Sequence, residues 1–150
     1  MSETTPQPIQ DTDGHTPTAL ELVHDYVLSV TPGAASGTDL FMAYDQDATG
    51  LVRFIEETPG DILRTHGKAV ALEFTPITIT VRDNADDYQN AKDEIIRLRY
   101  RLAAAVGYTS RGLTILDAEP RGTINPIGRD IKDREAFQAV FVIMTAPSYE

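Results

Sequence analysis

The chain has 150 residues, 41% of them hydrophobic, with 13 Lys and Arg against 23 Asp and Glu for a formal charge of −10, and no cysteine. That length and composition describe a single domain able to bury a core. The missing thiols exclude disulfides, thiolate catalysis and cysteine-built zinc sites, and the charge argues against nonspecific nucleic-acid binding, which needs clustered Lys and Arg.

The opening segment, MSETTPQPIQDTDGHTPT, is polar and rich in Pro, Thr and acids. It lacks the basic start and apolar run of a secretory signal. Residues 1–17 are therefore expected to be a disordered tail and 18–150 a single domain. No apolar run along the chain reaches the roughly twenty residues of a membrane-spanning helix, so no membrane partner is expected.

The first ordered element predicted is a helix over TALELVHDYVLSV. Leu20, Val23, Tyr26, Val27 and Val30 recur at helical spacing, Thr16 or Thr18 can cap the start, and TPG at 31–33 stops it.

DLFMAYDQDATGLVRFIEE, residues 39–57, reads two ways. Asp45, Asp47, Thr49, Gly50, Val52 and Glu56 match successive positions of a twelve-residue calcium loop. That motif needs a helix on each side, yet Gly37 precedes it closely, Pro59 follows closely, and Arg53 stands at the ninth position. The alternative is a β-hairpin: DLFMAYD and LVRFIEE are aromatic and branched, with QDATG as the turn. The hairpin is the favoured expectation, with a calcium-binding regulatory module as its rival.

TPGDILRTHGK is turn-rich. AVALEF and ITITVRD are strands, the second alternating Ile77, Ile79 and Val81 with Thr78, Thr80 and Arg82 as a half-buried strand does. NADDYQNAKDEIIRLRYRLAAAVG is the clearest helix. Tyr88, Ala91, Ile95, Leu98, Leu102 and Ala105 form its apolar stripe; Asp83 or Asn84 would cap its start and Gly107 would end it. Its cations in RLRYR follow Asp93 and Glu94 by one turn, which predicts a salt-bridged solvent face. LTILDAE is a strand, INPIGRDIKDRE a polar connection, and AFQAVFVIMTA a central strand. Strand following strand argues for an α+β fold: an antiparallel or mixed β-sheet with an N-terminal helix and a long central helix packed on one face.

Candidate sites are sparse. His15, His24 and His66 lack the spacing of a zinc pair and are expected at the surface. Ser36 in GAASG lacks the nucleophile-elbow spacing, and no glycine-rich loop cradles phosphate. No cofactor or catalytic residue is therefore expected. The mixed-sign segments 56–68 and 119–136 are either simply solvated or an interface rim; in the second case Arg121, Arg129, Asp130 and Arg134 are candidate subunit-interface residues.

The order of elements resembles the tail terminator proteins of long-tailed phages, also known as minor capsid or tail-completion proteins. The residues that carry the resemblance are ITITVRD running into DDYQNAKDEIIRLRYRL, followed by Pro126, Gly128, Asp130, Arg134 and Phe137 in the pattern P-x-G-x-D-x-x-x-R-x-x-F before the final strand. It spans roughly residues 19–146. The resemblance implies a structural virion protein made in the host cytoplasm, without catalytic residues. It would form a ring, commonly a hexamer, at the head-proximal end of the tail. It would stop tube growth there and contact the tail tube protein and the head–tail connector protein, with no specific nucleic acid bound. Another head–tail completion role is the neighbouring expectation.

Overall fold

The computed structural model describes residues 17–58, 63–66 and 71–147; the tail expected over 1–17 lies, but for its last residue, outside them. Nine elements follow in order: α1 (Ala19–Ser29), β1 (Leu40–Phe41), β2 (Val52–Glu57), β3 (Leu63–His66), β4 (Ala71–Arg82), α2 (Tyr88–Ala103), β5 (Thr109–Ser110), β6 (Leu113–Arg129) and β7 (Glu135–Pro147). The strands form one mixed sheet in the order β1-β2-β4-β7-β6-β5, with β3 also pairing β4. The α+β expectation holds.

α1 begins where its chemistry dictates. Thr18 Oγ1 accepts from the Glu21 amide at 3.3 Å, while the Glu21 carboxylate accepts from the Thr18 amide at 3.1 Å. This reciprocal capping box satisfies two amides that a helix start leaves unpaired. α2 starts later than expected, at Tyr88 rather than after Asp83 or Asn84. Asp87 takes the cap position without a side-chain cap bond.

β7 is the central strand predicted from its apolar run. It pairs β4 from Glu73↔Thr145 to Arg82↔Ala136 and β6 on its other side. The register puts Ile77, Ile79 and Val81 of β4 beside Phe141, Ala139 and Phe137 of β7. These side chains share one core with Ile55 of β2, Leu22, Val23 and Val27 of α1, and Ile95, Leu98 and Leu102 of α2. Both helices therefore bury their apolar stripes against this face, the main favourable term in folding.

Several expectations for the sheet need correction. Residues 39–57 are not a β-hairpin: β1 and β2 pair in parallel, Leu40↔Arg53 and Phe41↔Phe54, so residues 42–51 swing between them as a wide loop. The same strands also replace the two helices a calcium loop requires. Of the two strands expected over AVALEF and ITITVRD, the described residues form one continuous strand, Ala71–Arg82, and Leu63–His66 within the turn-rich segment is a strand alongside it. The connection before β7 is mostly strand, because β6 runs on to Arg129 through register shifts at Arg121/Asn125 and Pro126/Arg129. Bulges let Pro120, Gly122, Pro126 and Gly128 sit in β6, whose length beyond its short pairing with β5 forms the sheet edge among the described residues, and such features blunt an edge against pairing.

Candidate functional site

The loop between β1 and β2 is built around two guanidinium groups. Arg82, at the end of β4, projects to the sheet face opposite the helices and is 1% exposed. It donates to the carbonyl oxygens of Ala48 at 2.6 Å and Asp45 at 3.1 Å, and to the Tyr44 hydroxyl at 2.6 Å. Its guanidinium carbon lies 5.1 Å from the Tyr44 ring centre and 5.0 Å from that of Phe54, within cation–π range. Arg134, at the start of β7, donates to Ala48 O at 2.8 Å and Gln46 O at 2.9 Å. The loop read in the sequence as a calcium site gives its backbone carbonyls at Asp45, Gln46 and Ala48 to arginine.

Asp130 positions that second arginine. One carboxylate oxygen accepts from Arg134 Nε at 2.9 Å, and the other accepts from the amides of Lys132 and Arg134, each at 3.0 Å. The turn between β6 and β7 is thereby tied from inside, with Asp133 in the left-handed region at φ 58°, the geometry of a bulged hairpin turn. Burial would raise the Asp130 carboxyl, but the Arg134 side chain and the two amides lower it to about 2.

On the helix-facing side, Arg53 of β2 meets α2. Its Nε donates to Glu94 Oε2 at 2.5 Å, and Arg97 Nε donates to Glu94 Oε1 at 2.5 Å. Arg97 also reaches Val30 O at the end of α1 at 2.8 Å and Thr31 Oγ1 at 2.8 Å. Burial pushes the Glu94 carboxyl up, and the hydrogen bonds and charges of Arg97 and Arg53 pull it below its ordinary value. Glu94 is 7% and Arg53 6% exposed, so of the salt-bridged face expected for α2, Glu94 is buried with Arg53 and Arg97 pairs with it part-exposed, joining both helices to the sheet, while Asp93 and Arg101 stay exposed. Tyr88, expected in the apolar stripe, points outward.

His24 is buried rather than at the surface. Its Nε2 lies 3.0 Å from Ser36 Oγ and its Nδ1 3.3 Å from Asp25 Oδ1. The order serine–histidine–aspartate imitates a nucleophile with its base. The neighbouring groups are engaged elsewhere. Asp25 is also held by Arg111 Nε at 2.9 Å and Ser110 Oγ at 2.6 Å. Near Ser36, the amides of Gly37 and Thr38 donate to Leu40 O and Ala35 O, and that of Ala35 to Asp39 Oδ1. Those three donors are not available to an oxyanion. The trio anchors the 33–39 loop onto α1.

The residues singled out for an interface split in two. Asp130 and Arg134 meet as an internal pair, with Arg134 4% exposed. Arg121 and Arg129 are exposed, Arg121 lying 3.7 Å from Glu119 and Arg129 3.1 Å from Asp133. Sequence reasoning missed Arg82, Arg53 and Glu94. The one available signal was a charged residue standing in an apolar strand or stripe.

No family model matches the chain, and no curated protein matches it. Among solved structures, the fold is similar to that of a chain in the virion of a native gene transfer agent particle. The TM-score is 0.62 at 16% sequence identity, with 85% of this chain and 94% of that one covered. At that identity the likeness is one of fold. It takes in nearly the whole of the other chain, so little of that fold is left unmatched.

The surface adds two features. Val140, Val142 and Met144 of β7 lie half-buried on the sheet face away from the helices, beside Pro76 and Phe74 of β4. At the β6–β7 turn, Ile131 is 86% exposed and Ile127 is also exposed. Among the described residues no helix is long and apolar enough to cross a membrane, and no group of three or more His, Asp and Glu could hold a metal ion.

Proposed function

We propose that the chain is a structural protein of a phage-type virion, which caps the tail tube as a ring, commonly of six copies, and joins it to the head–tail connector. The observation that carries the reading is the fold shared with a virion chain over 85% of this sequence and 94% of that one. The motif residues add support. Asp130 and Arg134 lock the β6–β7 turn, and Arg82 locks the 42–51 loop against the sheet, so both are held as preorganised surfaces. Ring growth needs heterologous contacts, one patch meeting a different one on the next copy. The exposed Arg121, Arg129 and Ile131 and the half-buried apolar face of β7 offer such patches. A charge of −10 keeps unassembled copies soluble and suits a ring through which DNA passes without sticking. In this reading the protein performs no catalysis and holds no cofactor; its partners are itself, the tail tube protein and the connector protein.

Light scattering on the purified chain, alone and with tube ends, tests the proposal, together with imaging of particles carrying a tagged copy. The expected result is a mass of six chains, in solution or on tube ends, and label at the head-proximal end of the tail. A chain that stays monomeric with tubes present and is absent from particles sinks it.

A further inference from the structure

We propose that α2 carries both halves of a head-to-tail contact between copies of this chain. The cationic cleft beside its C-terminal half receives the acidic loop that precedes its N-terminus in a neighbouring copy. The inference rests on the ring reading and names the surfaces that would build it.

The cleft lies between the end of α1 and α2, with a volume of about 630 Å³, and Arg53, Arg97, Arg101 and Glu94 line it. Three guanidinium groups face one carboxylate in a chain whose charge is −10. Glu94 is already shared by Arg53 and Arg97. The guanidinium of Arg101 has no hydrogen-bond or ion-pair partner among the described residues, and its side chain is exposed. The cleft therefore holds surplus positive charge beside partly desolvated walls, where attraction to an anion is stronger than on open surface. Next to it Tyr100 is 77% exposed, with Ile96 one turn before it. An aromatic ring beside arginines is the composition that concentrates binding energy in interfaces.

The complementary patch lies at the other end of the same helix. Asn84, Asp86 and Asp87 are exposed, no cation follows until Lys92, and the Asp87 side chain makes no cap bond. Tyr88, half exposed, adds an aromatic ring there. From Asp87 to Arg101 the helix rises about 20 Å, too far for the two patches to meet within one chain. The contact is satisfied only between copies, and it is heterologous, the type that closes into rings.

Light scattering and sedimentation of the full chain test this, at low and high salt, with Arg101→Glu and Asp86→Lys/Asp87→Lys variants. All three positions are exposed, and a melting temperature equal to the wild type's will show that each variant folds. Each variant alone is expected to weaken self-association about tenfold or more, and high salt should weaken the wild type. Combining the variants in one chain should restore association with the charges exchanged. Association unchanged in the single variants, or not restored by the combination, overturns this contact and leaves the ring reading standing. A wild type that never associates overturns both. Duplex DNA binding abolished by Arg101→Glu, with self-association intact, would assign the cleft to nucleic acid instead.

Discussion

Arg82 and Arg134 hydrogen-bond the same acceptor, the carbonyl oxygen of Ala48, at 2.6 and 2.8 Å. Arg82 ends β4, and Arg134 stands in the turn just before β7, two residues ahead of Ala136, the partner of Arg82 in the sheet. The 42–51 loop is therefore held by the two strands at the centre of the domain, and the charges satisfy carbonyls that would otherwise be left without donors.

Replacing Arg82 with Met should lower stability by about 2 kcal/mol, because the Asp45 carbonyl and the Tyr44 hydroxyl lose this donor and the Ala48 carbonyl loses one of two. Amide hydrogen exchange should quicken across residues 44–50 more than in α2. Arg134→Met should act on the same segment, and the double variant should lose less than the two singles added, since the arginines share Ala48. Calcium should leave the melting temperature of the wild type unchanged. A calcium-dependent rise would restore the ion-binding reading of residues 45–56.

Asp130 sets an acid limit on the same structure. Its folded carboxyl titrates at about 2 against an ordinary 3.8. A lowered value means that its contribution is complete above the unfolded titration and is lost as pH falls through the folded one. The stability gap between wild type and Asp130→Asn should thus be constant from neutral pH to about pH 5 and shrink between about pH 4 and pH 2. Because the Asp130 carboxylate keeps contact with solvent although Arg134 is buried, screening should hold the gap at neutral pH to about 1 kcal/mol. Chemical denaturation at a series of pH values measures it. A gap that widens on acidification would contradict the assignment.

Much of this architecture could be read from the residues, and the losses have physical causes. The Ile77–Val81 alternation, the apolar run of β7 and the Thr18 start of α1 are local patterns, and each forms as read. The 39–57 segment failed because a parallel pair and a hairpin share the same strand-forming residues. Only the distant arginines, Arg82 and Arg134, decide between them by demanding the loop's carbonyls. Thr80 and Arg82 were read as a solvent-facing row, yet both are buried, because that loop folds over them. Glu94 was legible as a charge and illegible as a core residue, since its partner Arg53 comes from another element. The motif pair Asp130 and Arg134 was located by pattern, but its role inside the chain is a product of three-dimensional contact.

Glu94 is the sole carboxylate between Arg53 and Arg97 in the hydrogen bonds that tie β2, α2 and the end of α1. Glu94→Gln leaves two cations close together in a poorly solvated place, and should cost about 3 kcal/mol. Removing both partners, with Arg53→Met and Glu94→Met together, should be milder than Glu94→Gln, because no buried charge is then stranded at β2. Urea midpoints at fixed pH compare the variants. A double variant less stable than the single one would show that the ion pair stabilises beyond its mere completion.

Ser36 and His24 decide whether the serine–histidine–aspartate trio is chemistry or architecture. With the nearby amides engaged and Asp25 shared by Arg111 and Ser110, a serine-directed fluorophosphonate should leave Ser36 unlabelled at any pH from 6 to 9. Ser36→Ala should instead release the loop, costing about 1 kcal/mol, the usual worth of one hydrogen bond, and raising amide exchange at residues 35–39. Stoichiometric labelling of Ser36, lost in His24→Gln, would mean that the base activates the hydroxyl and that the protein has a hydrolytic activity alongside any structural role.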